Sequence, residues 1–435
     1  MSMISAVPEP TGPILLWRHR DFRRLFAGAT VSRLGSEVSE LAIPLLVIIT
    51  LDGTETEVGF VRTAQFLPFL LLTLHAGVLV DRVRRRPLMV TADLARFVLI
   101  GAIPALIWLG VDRMEPVYLL VFAAGAFTVI HQLADTAYLP SLIGPDQLMP
   151  ANSRLVAAQS AADLSGQGIG GLLVAALSAP IAVLVDALSF LFSGVAVAGI
   201  RHREPAPGGH TRADRPPIRT EIADGIRYLF RSRYLRPLVG EAATYNAAYQ
   251  VFIIGLLLWL VRDLHMSPAL IGLILSLAAL GAFAGAAAGA KLSTRYGFGP
   301  TMLVTMAVGN GAPVALFAAT SSGGLGTVAL LGGIFALMGF GTALANVHNI
   351  TLRQSAVPDR LQGRVNAAYR LVSWGVIPIG AILGGVLARE MGAYHAALAG
   401  GIGVAAATLW VAFSPIPRLR EAPPAADLAA GVGRS

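Results

Sequence analysis

The chain has 435 residues, 55% hydrophobic and only 13% charged, against roughly 25% charged in soluble domains; with a mean hydropathy of +0.67 this excludes an ordinary soluble globule and points to a polytopic membrane protein. The formal net charge of +8 rests almost wholly on arginine, Lys291 being the only lysine, and the arginines gather in short connections between apolar runs, a topology pattern that argues against a nucleic-acid partner. The absence of cysteine excludes a disulfide framework, thiol catalysis and Cys-ligated metal.

Met1 to Pro13 lack a basic stretch followed by an apolar core, so no cleaved signal peptide is expected and the first span serves as the insertion signal. Twelve spans, each about 20 residues long as a bilayer requires, are expected near 22–50, 57–80, 88–110, 116–139, 152–176, 180–200, 236–261, 268–290, 299–319, 325–349, 364–388 and 393–413. Arg18, Arg20, Arg23, Arg24, the Arg82–Arg86 cluster, Arg154, Lys291, Arg353, Arg360, Arg418 and Arg420 fall on one side of these spans. The other side holds the acidic stretch Leu51–Glu57 and a few lone arginines. Basic short loops stay inside, so both termini are expected in the cytoplasm of a cell with the chain in its plasma (inner) membrane. Trp108, Tyr118 and Trp259 fall at outer span ends, where an interfacial aromatic belt belongs.

In the first span Arg33, Glu37, Glu40 and Pro44 are spaced to form one stripe on one helix face. Glu37 lies about 20 Å from Phe22 along the axis, near the bilayer midplane. A carboxylate there costs at least roughly 3 kcal/mol unless it meets water or a partner. Glu37 or Glu40 is therefore read as a proton or cation site with Arg33 as counter-ion; the alternative is an Arg33–Glu37 pair that only supports packing. The next connection, Gly77-Val-Leu-Val-Asp81-Arg82-Val-Arg84-Arg85-Arg86-Pro87, is a tight basic hairpin. Asp93 and Arg96, about 8–12 Å into the third span, are read as partners of that hairpin.

In the fourth span His131, Gln132 and Asp135 lie within about one turn, and His131 with Asp135 has the spacing to share a proton. Asp163 lies in the middle of the fifth span among Gln159, Ser160 and Gln167. The same span contains Gly166-Gln-Gly168-Ile-Gly170-Gly171, dense enough in glycine for helices to approach closely. Asp186 is read as structural; Arg370, in the eleventh span, is open to either role, with a structural one preferred.

The longest connection, Arg201–Arg236, starts rich in Pro and Gly and reads as a flexible linker. It continues into a segment in which Ile222, Ile226, Leu229 and Phe230 recur at helical spacing, expected as an amphipathic helix on the inner leaflet. The tail from Pro415 is Ala-, Pro- and Gly-rich and is expected to be disordered.

An offset of 213 residues aligns Phe22–Leu25 with Leu235–Leu238, Val58-Gly59 with Ile271-Gly272, Arg82–Pro87 with Arg295–Pro300, and Pro145–Leu148 with Pro358–Leu361; a slip of one residue then aligns Gly170-Gly171 with Gly384-Gly385. The shared offset indicates a parallel duplication. It maps Arg33 onto Asn246 and Glu37 onto Gln250, so the second half keeps polarity without charge, and these two are counted as site candidates.

The hairpin pattern Gly-x-x-x-Asp-Arg-x-x-Arg-Arg, Gly77 to Arg86, resembles the signature loop of the major facilitator superfamily, with Arg84 where most members have glycine. The resemblance implies an all-α integral membrane fold of twelve transmembrane helices in two parallel, pseudo-symmetric six-helix bundles. Its expected divisions are an N-terminal segment 1–21, a first bundle 22–200, a linker 201–235, a second bundle 236–414 and a tail 415–435. It implies that Gly77, Asp81, Arg82, Arg85 and Arg86 gate the cytoplasmic face. Gly166, Gly170 and Gly171 resemble the Gly-Pro-x-x-Gly-Gly stretch of antiporters, with Gln167 in place of proline, although an ordinary packing face accounts for them too. Leu139–Leu148 and Val185–Phe190 are similar to drug and siderophore exporters of the macrolide and enterobactin type.

The expected function is proton-coupled efflux of a hydrophobic drug-like or siderophore-like small molecule by alternating access. Arg33, Glu37, Glu40, His131, Asp135, Asp163, Asn246 and Gln250 would line the substrate and proton path, in a chain working as a monomer with no cofactor or metal. A lipid flippase or solute importer of the same fold stays open, and, further off, a non-transporting sensor or membrane-embedded enzyme. No Gly-x-x-x-x-Gly-Lys-Ser/Thr, His-x-x-His or Gly-x-Ser-x-Gly stretch occurs. His75, His131 and His348 are the histidines expected to be buried in spans.

Overall fold

The computed structural model describes residues 15–202, 204, 218–319 and 324–421. Residues 203 and 205–217 of the expected linker, the end of the expected tail and the Asp81 side chain lie outside the described residues. The helices run in the order α1 (Leu15–Arg18), α2 (Arg20–Leu45), α3 (Glu55–Arg82), α4 (Arg85–Trp108), α5 (Met114–Leu142), α6 (Pro145–Ala176), α7 (Ala179–Ala198) and α8 (Ile218–Arg231). They continue as α9 (Leu235–Leu258), α10 (Pro268–Tyr296), α11 (Phe298–Gly311), α12 (Leu325–Ala356), α13 (Asp359–Gly375), α14 (Ile377–Met391) and α15 (Ala393–Ala412). Among the described residues nine helical segments are long and apolar enough to cross a membrane, from Arg85–Trp108 to Ala393–Ala412, with α13 and α14 forming one of them. The chain is a multi-pass membrane protein. Helices α2 and α6 are as long but more polar, because they carry Arg33, Glu37 and Glu40, and Gln159, Asp163 and Gln167.

Helix ends follow local chemistry. Thr54 and Glu57 form a capping box at the start of α3: the Glu57 N–H donates to Thr54 Oγ1, and the Thr54 N–H donates to Glu57 Oε2 at 2.7 Å. Several other short connections turn at positive-φ residues, among them Gly110, Gly297 and Gly392.

The 213-residue repeat is visible in the backbone. Helix α2 runs on as a π-helical turn, Leu46–Thr50, and α9 as another, Trp259–Asp263. Each is followed by a left-handed non-glycine residue, Asp52 (φ 46°) and His265 (φ 49°), at matched positions. The neighbour pattern repeats too. Helix α2 packs on α6 and α7, as α9 packs on α14 and α15.

The two halves meet where glycines let backbones touch. A Cβ on Gly171 would lie 2.8 Å from the Gly272 Cα, and one on Gly59 would lie 3.3 Å from the Gly385 Cα. These are the glycines the repeat aligns, so the α6–α10 and α3–α14 contacts are equivalent. Both lie toward the end of the molecule that carries Glu55 and Pro268, here called the far end. The largest apolar core gathers there, with Leu41–Ile48 of the first half and Phe252–Leu260 of the second in one cluster. Arg262 completes this closure by donating to Glu55 and to the Gly53 carbonyl.

Two expectations need correction. Trp259 is buried against Tyr394, centroids 5.2 Å apart, so it is a core residue and not part of an interfacial belt; Trp108 is exposed as expected. Helix α8 docks on protein: Leu229 is fully buried, a Cβ on Gly225 would meet the Arg364 carbonyl, and Tyr228 Oη donates to the Ala356 carbonyl at 3.0 Å. Phe230, counted on the same apolar stripe, is exposed.

Candidate functional site

The stripe on α2 faces α3 and α6, and its two carboxylates have different cations. Arg33 Nη2 lies 2.8 Å from Glu37 Oε1 and 2.8 Å from Asp163 Oδ1, and its Nε donates to the same Asp163 oxygen at 2.9 Å. Arg33 thus joins two carboxylates from two helices, and the trio has one positive group against two negative ones. The packing follows from glycine: a Cβ on Gly166 would clash with the Glu37 side chain, and one on Gly170 would lie 3.1 Å from the Val38 carbonyl. Gly171 faces the other way, toward α10. The glycine-dense stretch therefore seats α6 against α2 on one face and against the second half on the other.

Glu40 pairs with Arg62 of α3 at 2.7 Å. Gln65 Nε2 donates to Glu40 Oε2 at 3.4 Å, and Arg62 Nη1 donates to Gln65 Oε1 at 3.0 Å. Arg62 is 5% exposed, so this pair is interior.

A cavity of about 560 Å³ opens beside Arg33 and Asp163. Ser160, Asp163 and Gln167 line it from α6, Tyr245 and Tyr249 from α9, and an alanine-rich wall from α10 with Phe335, Met338 and Asn346 from α12. Both halves build it. The two tyrosine rings are stacked, 5.8 Å apart and 4° from parallel. A narrow extension reaches Glu40 and Arg62 past Gln167 and Tyr249. A second cavity, about 320 Å³, lies between α3, α5 and α13.

The structure separates several residues that the sequence grouped. Among the described residues His131 comes within ion-pair distance of Asp93 and not of Asp135: its Nε2 lies 3.4 Å from Asp93 Oδ2, and Arg96 donates to Asp93 Oδ1 while sitting 4.2 Å from the centroid of the Phe190 ring. Asp93 and Arg96 are buried between α4, α5 and α7, and no contact joins them to Arg82–Arg86 among the described residues. They form an interior cluster with His131. Asn246 Nδ2 donates to the Ser373 carbonyl of α13 at 2.7 Å, and Gln250, one turn along the same face, is buried. The aromatic face of α9, Tyr245 and Tyr249, takes the cavity position instead. Of the three histidines, His131 and His348 are buried and His75 is exposed.

At the basic hairpin, Arg86 Nε donates to the Val197 carbonyl at 3.2 Å and its guanidinium also reaches the Ala198 carbonyl, while its N–H donates to Glu204 Oε2 at 3.0 Å. The arginine satisfies carbonyls that the end of α7 leaves free. Arg24 does the same at the Gly199 carbonyl. Arg82 and Arg84 are exposed, and a Cβ on Gly77 would meet nothing within 4 Å. Arg62, Tyr245, Tyr249 and Glu241 were not singled out from sequence. The signal for Arg62 and Glu241 was a charged residue inside an apolar run; Glu241 is buried and accepts from Asn310 Nδ2 at 3.2 Å. Among the described residues no group of three or more His, Asp or Glu side chains is placed to hold a metal ion.

The profile of the Major Facilitator Superfamily matches residues 25–381 and 243–430. The multidrug efflux pump Tap of Mycolicibacterium fortuitum is 29% identical over 416 residues, covering 94% of this chain and 97% of that protein. The enterobactin exporter EntS of Citrobacter koseri is 26% identical over 420 residues, covering 95% and 96%. In fold the chain is similar to the crystal structure of a bacterial homologue of the iron transporter ferroportin in the inward-facing state, with a TM-score of 0.70, 18% identity and coverage of 90% and 98%. Helical architecture, signature hairpin and full-length family match agree: this chain belongs to the Major Facilitator Superfamily, whose members are transporters and not enzymes.

Proposed function

We propose that the chain is a proton-coupled exporter of a hydrophobic drug-like or siderophore-like small molecule, working by alternating access. The observation that carries this reading is the Arg33–Glu37–Asp163 trio, whose Asp163 lines the 560 Å³ cavity. One cation between two carboxylates leaves a single negative charge uncompensated. With Arg33 and Asp163 partly exposed, that charge is open to a proton or a cationic group arriving through the cavity. A proton and a substrate group competing for one charge is the elementary requirement of antiport. The relatives named as a multidrug efflux pump and an enterobactin exporter support the direction and the substrate class.

In this reading α2, α3 and α6 cross the membrane with the nine apolar segments, giving twelve spans in two six-helix bundles, and the 213-residue repeat of π turns and glycine contacts supports that layout. The arginine-rich loops put both termini in the cytoplasm. Contacts between the halves concentrate at the far end, which supports a conformation closed to the outside and open to the cytoplasm. Glu37 and Asp163 hold the coupling proton, Glu40 with Arg62 supports the closed end, and Asp81 with its arginines gates the cytoplasmic face. The protein works as a monomer.

The test uses purified protein in vesicles with an imposed pH gradient and added hydrophobic drugs and siderophores. Substrate-triggered collapse of the gradient is expected for the wild type and absent in Glu37→Gln. Collapse that survives both Glu37→Gln and Asp163→Asn would remove the trio from coupling. No collapse with any compound in folded protein would sink the antiport reading.

A further inference from the structure

The second cavity, between α3, α5 and α13, differs chemically from the first. Its volume is about 320 Å³, within the range of small-molecule sites. Phe69 of α3 and Trp374 of α13 form one wall, their rings edge to face at 6.1 Å. Arg370, one turn before Trp374, sits with its guanidinium 5.9 Å from the Trp374 ring. Gln132, Asn366 and Thr73 supply neutral polar groups. No acidic residue lines this cavity, and among the described residues no carboxylate lies within ion-pair distance of Arg370. Arg353 adds to the same field: it repels Arg370, stacks 4.3 Å from the Tyr369 ring centroid, and its buried Nε has no hydrogen-bond partner among the described residues.

Arg370 is exposed to this cavity, and ionisable residues that face a water-filled cavity between membrane helices mark ligand paths. Among the described residues the Arg370 fork is free, and it matches a carboxylate or a comparable oxyanion in bidentate fashion. The aromatic pair beside it offers ring faces and edges to a flat apolar body. The first cavity shows the contrasting case, where Arg33 is already claimed by Glu37 and Asp163.

We propose that the cavity at Arg370 is an anion-selective subsite for the carried molecule, taking an acidic group attached to an aromatic ring. This deepens the exporter reading and rests on it for the word "carried". The anionic group binds Arg370 and the ring lies against Phe69 and Trp374. A lipid headgroup offers the same oxyanion chemistry, so the experiment separates the two sources.

The experiment measures fluorescence anisotropy of two dyes on the purified full chain in nanodiscs. Fluorescein and a cationic rhodamine share a ring system and differ in charge. Fluorescein is expected to bind at least tenfold more weakly to Arg370→Gln than to wild type, with Arg370→Lys between them and rhodamine affinity changed less than twofold. Asn366→Asp, which sets a carboxylate one turn from Arg370, is expected to give the same selective loss with the arginine still present, so a folding failure of one variant leaves the other. Fluorescein binding indifferent to both variants, or equal loss for both dyes, would overturn the subsite. Displacement of fluorescein on adding phosphatidylglycerol to phosphatidylcholine discs would assign the anion to lipid and overturn the substrate class. Because binding needs no export, charge-selective binding without transport in vesicles would keep the subsite and sink the exporter reading.

Discussion

Glu37 and Glu40 are three residues apart on one helix, yet their surroundings give them different chemistry. Glu40 meets Arg62 and Gln65 in the interior, a closed pair with no charge left over. Removing one partner of such a pair strands the other charge, at a typical cost of about 3 kcal/mol, whereas removing both is close to neutral. Arg62→Leu is therefore expected to lower thermal stability in detergent by about that amount, and the Glu40→Gln, Arg62→Leu double variant to recover most of it. A double variant no more stable than the single one would show that the pair is not the relevant unit. Sequence could read the stripe because Arg33, Glu37 and Glu40 are helical neighbours whose relation depends on spacing alone. It could not read Arg62 with Glu40, nor choose Asp93 over Asp135 for His131, because those choices depend on how one helix is rotated and shifted against the next. Spacing offered Asp135 the correct distance along α5; the register of α4 against α5 put Asp93 closer.

At the scale of elements, the glycines explain how helices that carry charge still pack tightly. In lipid there is little hydrophobic gain from helix association, so close backbone contact and interhelical polar contacts do the joining. Gly166 and Gly170 let α6 approach α2 so that Asp163 reaches Arg33; Gly171 and Gly272 bring the two halves into contact. Gly171→Val would place branched carbons where the Gly272 backbone now lies, at 2.8 Å from its Cα for the first atom alone. It is expected to hold the far end apart, leaving membrane insertion intact and cutting transport at least tenfold in vesicles. Gly385→Val should act alike, being the repeat-related position. Gly333→Ala is the contrast: its added carbon meets open space, so transport within twofold of wild type is expected. Equal loss in all three variants would separate the effect from far-end closure. Both glycine sets were visible in the sequence, and so was the offset that pairs them. Which helices each glycine touches could not be read from spacing: Gly166 and Gly170 meet α2, and Gly171 meets the other half.

For the whole molecule, closure of the far end combines an apolar core shared by both halves, two equivalent glycine contacts and one ion pair between them, Arg262 with Glu55. The long apolar runs were legible from hydropathy and the internal repeat from the 213-residue offset, whereas the conformation is not a property of spacing: it depends on a small balance between closed surfaces at either end. The Arg262 pair is the part of that balance most open to test. Its side chains are each 29% exposed, so it is worth about 0.5–1 kcal/mol, which is roughly a two- to fivefold change in a conformational equilibrium. Arg262→Ala is expected to shift the population by that factor toward opening at the far end. The chain has no cysteine, so a single Ser160→Cys in the cavity wall reports accessibility without background. Thiol labelling from the far side should rise two- to fivefold in the Arg262→Ala variant, and the charge-swapped pair Arg262→Glu with Glu55→Arg should bring it back. Labelling unchanged by Arg262→Ala would mean that the apolar and glycine contacts alone hold the far end shut, and that the ion pair follows closure without stabilising it.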